Sequence, residues 1–218
     1  MAERTMERAE APALEEASRE RGIRDIIVYP KTRKLVLIWT AFNLVTLTIG
    51  VRAADGIVMP LVGIVIGIAV YSIVEYLMHR YLYHDEPNNR ILRFLTADVA
   101  RAHIKHHKEP AKYGGAINGN QLPVVGLATV IAVVLYLTPL PTSGVMFGVA
   151  AGTLSYLAQE LVHFGCHQLP MRGRFLSAMK RHHMLHHYRD DTANFGILWS
   201  VWDVWLGTHF ERKNRAKA

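Results

Sequence analysis

The chain of 218 residues has one cysteine, Cys166, which excludes a disulfide framework and any cysteine-held zinc or iron–sulfur site. Cys166 itself reads as a small packed residue near a membrane interface. No HExxH motif occurs, so a zinc-protease reading lacks its general base. The first 24 residues have no apolar core; acids and bases interleave from Glu3-Arg4 to Glu20-Arg21, which excludes a secretory signal and predicts a frayed or helical tail. There is no internal repeat beyond a duplicated hairpin, and no low-complexity linker. The formal charge of +7 is not gathered into a groove-binding motif, so no nucleic-acid partner is expected.

What the chain does have is apolar length. Half of its residues are hydrophobic, and they concentrate in four segments: Leu35–Val51, Ile57–Tyr83, Leu122–Thr138 and Gly144–Phe164. Asp55-Gly56 and Pro139-Leu140-Pro141 supply short turns after the first and third, which predicts two helical hairpins. Nearly all Lys and Arg lie in the tail to Lys34, in the segment His84–Gln121 and after His167, whereas the two short turns hold one Arg between them. By the positive-inside tendency, the N-terminus, the central loop and the C-terminus are all cytoplasmic. The expected fold class is an all-α integral membrane protein: residues 1–34 form a cytosolic tail, and residues 35–218 form one membrane-embedded domain of four transmembrane helices with a cytosolic helical cap.

The second abundance is histidine. Ten of the twelve fall into four boxes: His79 and His84; His103, His106 and His107; His163 and His167; His183, His186 and His187. Each box lies at or near the end of an apolar segment, and the topology above puts all four on one side of the membrane. Residues three and four apart on a helix lie within about 100° of one another, so the HxxHH and HxxxH boxes present convergent imidazoles. The offset of five between His79 and His84 leaves their rings roughly 140° apart on a regular helix, which predicts that the helix ends or bulges between them. Imidazole is the commonest protein metal ligand. Ten nitrogens exceed one tetrahedral zinc site and suit two five- or six-coordinate first-row ions with open positions, for which iron and dioxygen are the natural chemistry. A haem cytochrome would place its paired histidines within the spans, and a metal transporter would want polar ligands at the midplane. Neither pattern is present.

Carboxylates near the boxes are candidate acceptors for the second imidazole N–H. Glu75 precedes His79 by four residues, Glu160 precedes His163 by three, and Asp203 sits in the later Trp202-Asp203-Val204-Trp205 segment. His182, four before His186, is a further supporting candidate, and His209 reads as structural. The small residues Gly148, Ala150, Ala151 and Gly152 in the fourth segment allow either close helix packing or an apolar slot.

These motifs resemble the fatty acid hydroxylase superfamily of membrane diiron enzymes, which includes fatty acid 2-hydroxylases, sterol desaturases and carotene hydroxylases. The resemblance runs from about Tyr71 to Thr208. Glu75-Tyr76-Leu77-Met78-His79 through His84 is similar to the first box of the 2-hydroxylases. His103 to Lys108, His163 to His167, and His182 to Tyr188 with Asn194-Phe195-Gly196-Ile197 and Trp202-Asp203 are similar to the other three. The resemblance implies that the ten boxed histidines hold two iron ions; zinc can replace iron in recombinant material, because histidine-rich sites bind zinc well and the Irving–Williams order disfavours iron. It also implies a dioxygen-dependent hydroxylation that puts one oxygen atom into a C–H bond of a lipid acyl chain, near its carboxyl end. A carotenoid or sterol hydroxylase or desaturase of the same superfamily is the alternative, and a non-catalytic metal-binding or metal-transport protein is the alternative of another class. Eukaryotic 2-hydroxylases often carry an N-terminal cytochrome domain. Only some 34 residues precede the first span here, none of them histidine, so electrons are expected from a separate donor: a reductase with a ferredoxin or a b-type cytochrome. The expected location is a bacterial inner membrane or the endoplasmic reticulum.

Overall fold

The structure is a computed structural model, and it describes residues 30–84, 89–110, 132–133, 136–137 and 139–210. Among these residues it is all-helical, with α1 at Pro30–Arg52, α2 at Val58–Met78, α3 at Arg90–Lys108, α4 at Thr142–Gln168, α5 at Arg174–Tyr188 and α6 at Val201–Trp205. Proline at the first position of α1 suits a helix start, where a backbone N–H has no partner in any case. α4 stops at Leu169, whose extended backbone is what Pro170 demands of the residue before it. Gly173, at φ +87°, makes the turn into α5 in a conformation that other residues rarely adopt.

Three helices are long and apolar enough to cross a membrane: Thr32–Arg52, Val58–Tyr83 and Thr142–Gln168. They correspond to the first, second and fourth apolar segments of the sequence. The third, Leu122–Thr138, lies outside the described residues apart from 132–133 and 136–137, and so does most of the N-terminal tail. Leu37, Leu44, Val45 and Val51 on α1, with Val58 and Val65 on α2, are each more than 60% exposed. A water-facing helix would not carry so many large apolar side chains outward, so these are the surfaces suited to lipid.

α4 packs against both α1 and α2 and is the most buried of the three long helices. Small residues set its distance from α2. A Cβ on Gly63 would lie 2.0 Å from the carbonyl oxygen of Gly144, and one on Gly67 would lie 2.0 Å from that of Gly148. The glycines at Gly148 and Gly152 therefore serve close helix packing, and the apolar slot is not found there. On the α1 side, Trp39 and Tyr156 meet edge to face at 5.3 Å, and the Thr153 hydroxyl donates to Asn43 Oδ1 at 2.9 Å.

α2 does not end at Met78. It continues as a π-helical turn over His79–Tyr83. Hydrogen bonds from i to i+5 widen the turn and bring residues five apart to the same side. The His79 and His84 rings consequently stack, with centroids 5.3 Å apart and planes at 16°. The bulge expected from their spacing is this π turn.

Candidate metal centre

Each long apolar helix that carries histidine delivers it at its end. α2 brings His79 and His84, and α4 brings His163 and His167. Of the two shorter helices, α3 packs against the π turn and brings His103, His106 and His107, and α5 packs against α4 and brings His183, His186 and His187. The ten imidazoles sort into two groups of five. His79, His84, His103, His107 and His186 form one group, and His106, His163, His167, His183 and His187 the other. Within each group one nitrogen per ring lies within 4.8 Å of all the others. The two HxxHH boxes divide in the same way. In each, the pair four residues apart joins one group and the remaining histidine crosses to the other: His103 and His107 against His106, and His183 and His187 against His186. The groups abut, with the His107 and His187 rings stacked at 4.1 Å.

The nitrogens that face one another are all Nε2. His103 Nε2 lies 3.2 Å from that of His79 and 2.9 Å from that of His107. His183 Nε2 lies 2.9 Å from that of His167 and 3.0 Å from that of His187, and His106 and His163 meet at 3.1 Å. Two ligands at right angles around an ion with bonds of about 2.1 Å have nitrogens about 3.0 Å apart. A proton on one ring can serve only one neighbour, so hydrogen bonding alone does not satisfy His103 or His183, each with two such contacts. His186 Nε2 is buried and has no hydrogen-bond partner at all. The donor set therefore fits two metal ions, five imidazoles each.

Electrostatics keep the donors ready. Burial, reinforced by the neighbouring imidazoles, pushes His103, His183 and His187 well below the ordinary histidine range. The same causes lower His107 to about 2, and burial lowers His186 to about 4 even though its bond to a backbone carbonyl acts in the other direction. All five are neutral at physiological pH, with a lone pair free to bind a cation.

The C-terminal loop orients the first group. His186 Nδ1 donates to the Ala193 carbonyl at 2.6 Å, and His79 Nδ1 donates to the Phe195 carbonyl. Each bond fixes the tautomer and turns Nε2 toward the site. Two buried carboxylates hold the loop in turn. Asp203 accepts from the backbone N–H groups of Phe195 and Gly196, both at 2.8 Å, and Glu75 Oε1 accepts from those of Ile197 and Leu198, also at 2.8 Å. Burial alone would raise the Asp203 carboxyl, but bonds from His182, Gly196, Thr208 and Phe195 carry it below its ordinary value. Asn194, between the two carbonyls that hold the histidines, sits at φ +58°. Its side chain fixes it there by donating to the His182 carbonyl and accepting from the Phe210 N–H.

Two of the three carboxylates singled out in the sequence bond to the loop and not to the boxed histidines. Glu75 and Asp203 reach them through the backbone of the 193–198 loop. Glu160 is buried on α4, one turn before His163. His182 lies outside both groups; its Nε2 is 3.1 Å from Asp203 and its ring stacks on His209. Sequence reasoning missed the carbonyls of Ala193 and Phe195, because a carbonyl is common to every residue. The one available signal was the Asn-Phe-Gly run itself, with Asn tolerant of positive φ.

Long apolar helices that end in a paired, five-by-five histidine site define a histidine-rich metal-binding class. Within that class the chain belongs to the fatty acid hydroxylase family, whose family model matches residues 64–208. It is 32% identical over 153 residues to the fatty acid 2-hydroxylase of Rattus norvegicus, covering 66% of this chain and 38% of that one. A ceramide very long chain fatty acid hydroxylase of Schizosaccharomyces pombe is 33% identical over 147 residues, with 66% and 41% covered. A dihydroceramide fatty acyl 2-hydroxylase of Arabidopsis thaliana is 26% identical over 171 residues, with 73% and 66% covered. The chain thus spans about two fifths of the length of the mammalian relatives it matches. Among solved structures it is similar to scs7p, of which only the hydroxylase domain is visible, with a TM-score of 0.67, 25% identity, and 84% of this chain and 68% of that one covered.

Proposed function

We propose that the chain is a membrane-embedded, dioxygen-dependent hydroxylase that acts on a lipid acyl chain at the carbon next to its carboxyl group. The observation that carries this reading is the division of ten buried or half-buried imidazoles into two adjacent groups of five. Each group would hold one iron ion, and all ten boxed histidines are ligands. When bound, the two irons supply dioxygen activation and the insertion of one oxygen atom into an unactivated C–H bond. The names of the relatives, fatty acid 2-hydroxylases and ceramide hydroxylases, support both the reaction and an acyl substrate.

The protein's own part is placement. A hydrocarbon core of about 30 Å takes about 20 residues of helix. Counted from Val58, that ends near Leu77, and counted from Thr142, near Leu161, so His79 and His163 lie just past the apolar layer. An acyl chain loses about 0.8 kcal/mol for each CH₂ drawn into water, so it stays in the bilayer and presents its carboxyl end to the histidines. Neutral imidazoles hold the site without charge of their own, and the carbonyls of Ala193 and Phe195 keep His186 and His79 aimed at it. Four spans, with both termini on the cytoplasmic side, complete the arrangement, and a separate reductase with a ferredoxin or a b-type cytochrome supplies the electrons.

Lipid mass spectrometry of a host expressing the chain tests this directly. The expected result is a gain of one oxygen on acyl chains, located by fragmentation at the second carbon and absent in the His186→Ala variant. Oxygen gained on carotenoids or sterols instead would move the substrate to another branch of the family.

A further inference from the structure

The segment from Ile197 to Leu206 is only partly accounted for by its hold on the histidine loop. Three contacts pin it and the residues flanking it along the last turns of α2. Trp202 Nε1 donates to the Ser72 hydroxyl at 3.1 Å, Glu75 accepts from Ile197 and Leu198, and the Tyr76 and Thr208 hydroxyls meet at 2.9 Å. Ser72 lies about five residues, or about 7 Å, on the membrane side of the boundary near Leu77. A segment bonded there cannot sit wholly above the apolar layer.

Its outward surface agrees. Trp199, Val201, Val204, Trp205 and Leu206 are exposed, Trp205 by 74% and Val204 by 62%. The one charged side chain in the segment, Asp203, is turned completely inward. The same turns of α2 expose Ile73 and Leu77, so the apolar surface continues from the span onto the segment. Tryptophan flanked by aliphatic side chains is the composition of a membrane–water interface. α6 has only five residues, too few to register as a span.

We infer that residues 197–206 are embedded in the lipid leaflet at the histidine end of the spans, with Trp199, Val201, Val204, Trp205 and Leu206 against acyl chains and headgroups. The loop that aims His79 and His186 is then seated on lipid. This rests on the reading of α1, α2 and α4 as membrane spans.

Spin labels report the surroundings of single sites. Cysteine is introduced in a Cys166→Ala background at Val204 or Leu206, at Val65 as a mid-span reference, and at Asp191 as an exposed reference in the cap. The full chain is reconstituted in phosphatidylcholine–phosphatidylglycerol vesicles, and collision with oxygen is compared with collision with a water-soluble nickel chelate. The expected oxygen-to-nickel ratio at 204 and 206 is several-fold above that at 191 and approaches that at 65. Ratios at 204 and 206 equal to that at 191, with 65 still lipid-like, would overturn the inference and leave the spans standing. Low collision with both reagents at 204 and 206 would mean that protein, such as a second copy, covers the face, and would also overturn it. A water-like label at 65 would bring down the span reading and the inference together.

Discussion

The two histidine groups offer the same imidazole donors but are held in different ways. In the first, His79 and His186 are each anchored through Nδ1 to a carbonyl of the C-terminal loop, and that loop hangs on two carboxylates. In the second, the Nδ1 atoms of His183 and His187 are buried and make no hydrogen bond. Their aim comes from helix geometry, with i, i+4 pairs on α4 and α5 facing each other. Two rings of one group are thus held by a distant segment of chain, whereas four rings of the other are set by helix pairs that face each other. Neighbouring sites of equal ligand number can therefore differ in how easily they are disturbed.

The largest way to break that comparison is to remove a ligand. His186→Ala and His183→Ala each delete one imidazole, from the first and second group respectively, and each is expected to lower hydroxylation by at least about 100-fold, since even partners of ligands are worth 10–100-fold. Product assays on the purified variants check this. Retained activity in either variant would remove that histidine from the site.

Gly67→Ala disturbs both groups at once, because the Gly67–Gly148 approach sets the spacing of α2 and α4, which carry histidines of different groups. A Cβ 2.0 Å from a carbonyl oxygen has no room, and a loss of about 1–3 kcal/mol in stability is expected. Both metals should weaken together, read as metal content and melting temperature of the detergent-solubilised protein.

Asp203→Asn separates the groups. It weakens the loop that holds His79 and His186, and reaches the second group only through His182, the neighbour of His183. A 10–100-fold loss of affinity is expected for the metal of the first group, with little change for the second. Competition with a chelator, followed in two phases, measures it. Equal weakening of both phases would show that the loop serves the whole site.

Acid acts in the opposite manner and should not separate them. His186, held near 4, and His183, also depressed, stay neutral in the folded protein while an unfolded chain takes up protons near the ordinary value of 6.5. Their contribution to stability is therefore complete above about 6.5 and is lost as pH falls from there through the folded values. Melting of the metal-free protein at pH 7.5 and pH 5 is expected to show the decline. The smallest effect belongs to His209→Ala, which removes only a ring stacked on His182 and should leave activity within about two-fold.

Much of this could be read from the chain. The ten histidines that come together are recognisable because imidazoles converge from one helix at spacings of three and four, and the offset of five from His79 to His84 already requires a bulge. Three apolar segments emerge as helices because lipid-facing length has no other use. What is not readable is tertiary. That His106 leaves its neighbours His103 and His107 for the other group depends on its meeting His163, 57 residues further along the chain. The carbonyls that hold His79 and His186 have no residue signature, so Glu75 and Asp203 invite a direct bond to a boxed imidazole, whereas they bond to the backbone of the 193–198 loop.

Two adjacent groups of five imidazoles call for two metal ions, one in each. Elemental analysis of protein expressed with ferrous iron, with ions counted per chain, tests this most directly. Two ions are expected in the wild-type chain, iron or iron replaced in part by zinc. One ion per chain in fully loaded, folded protein would contradict it.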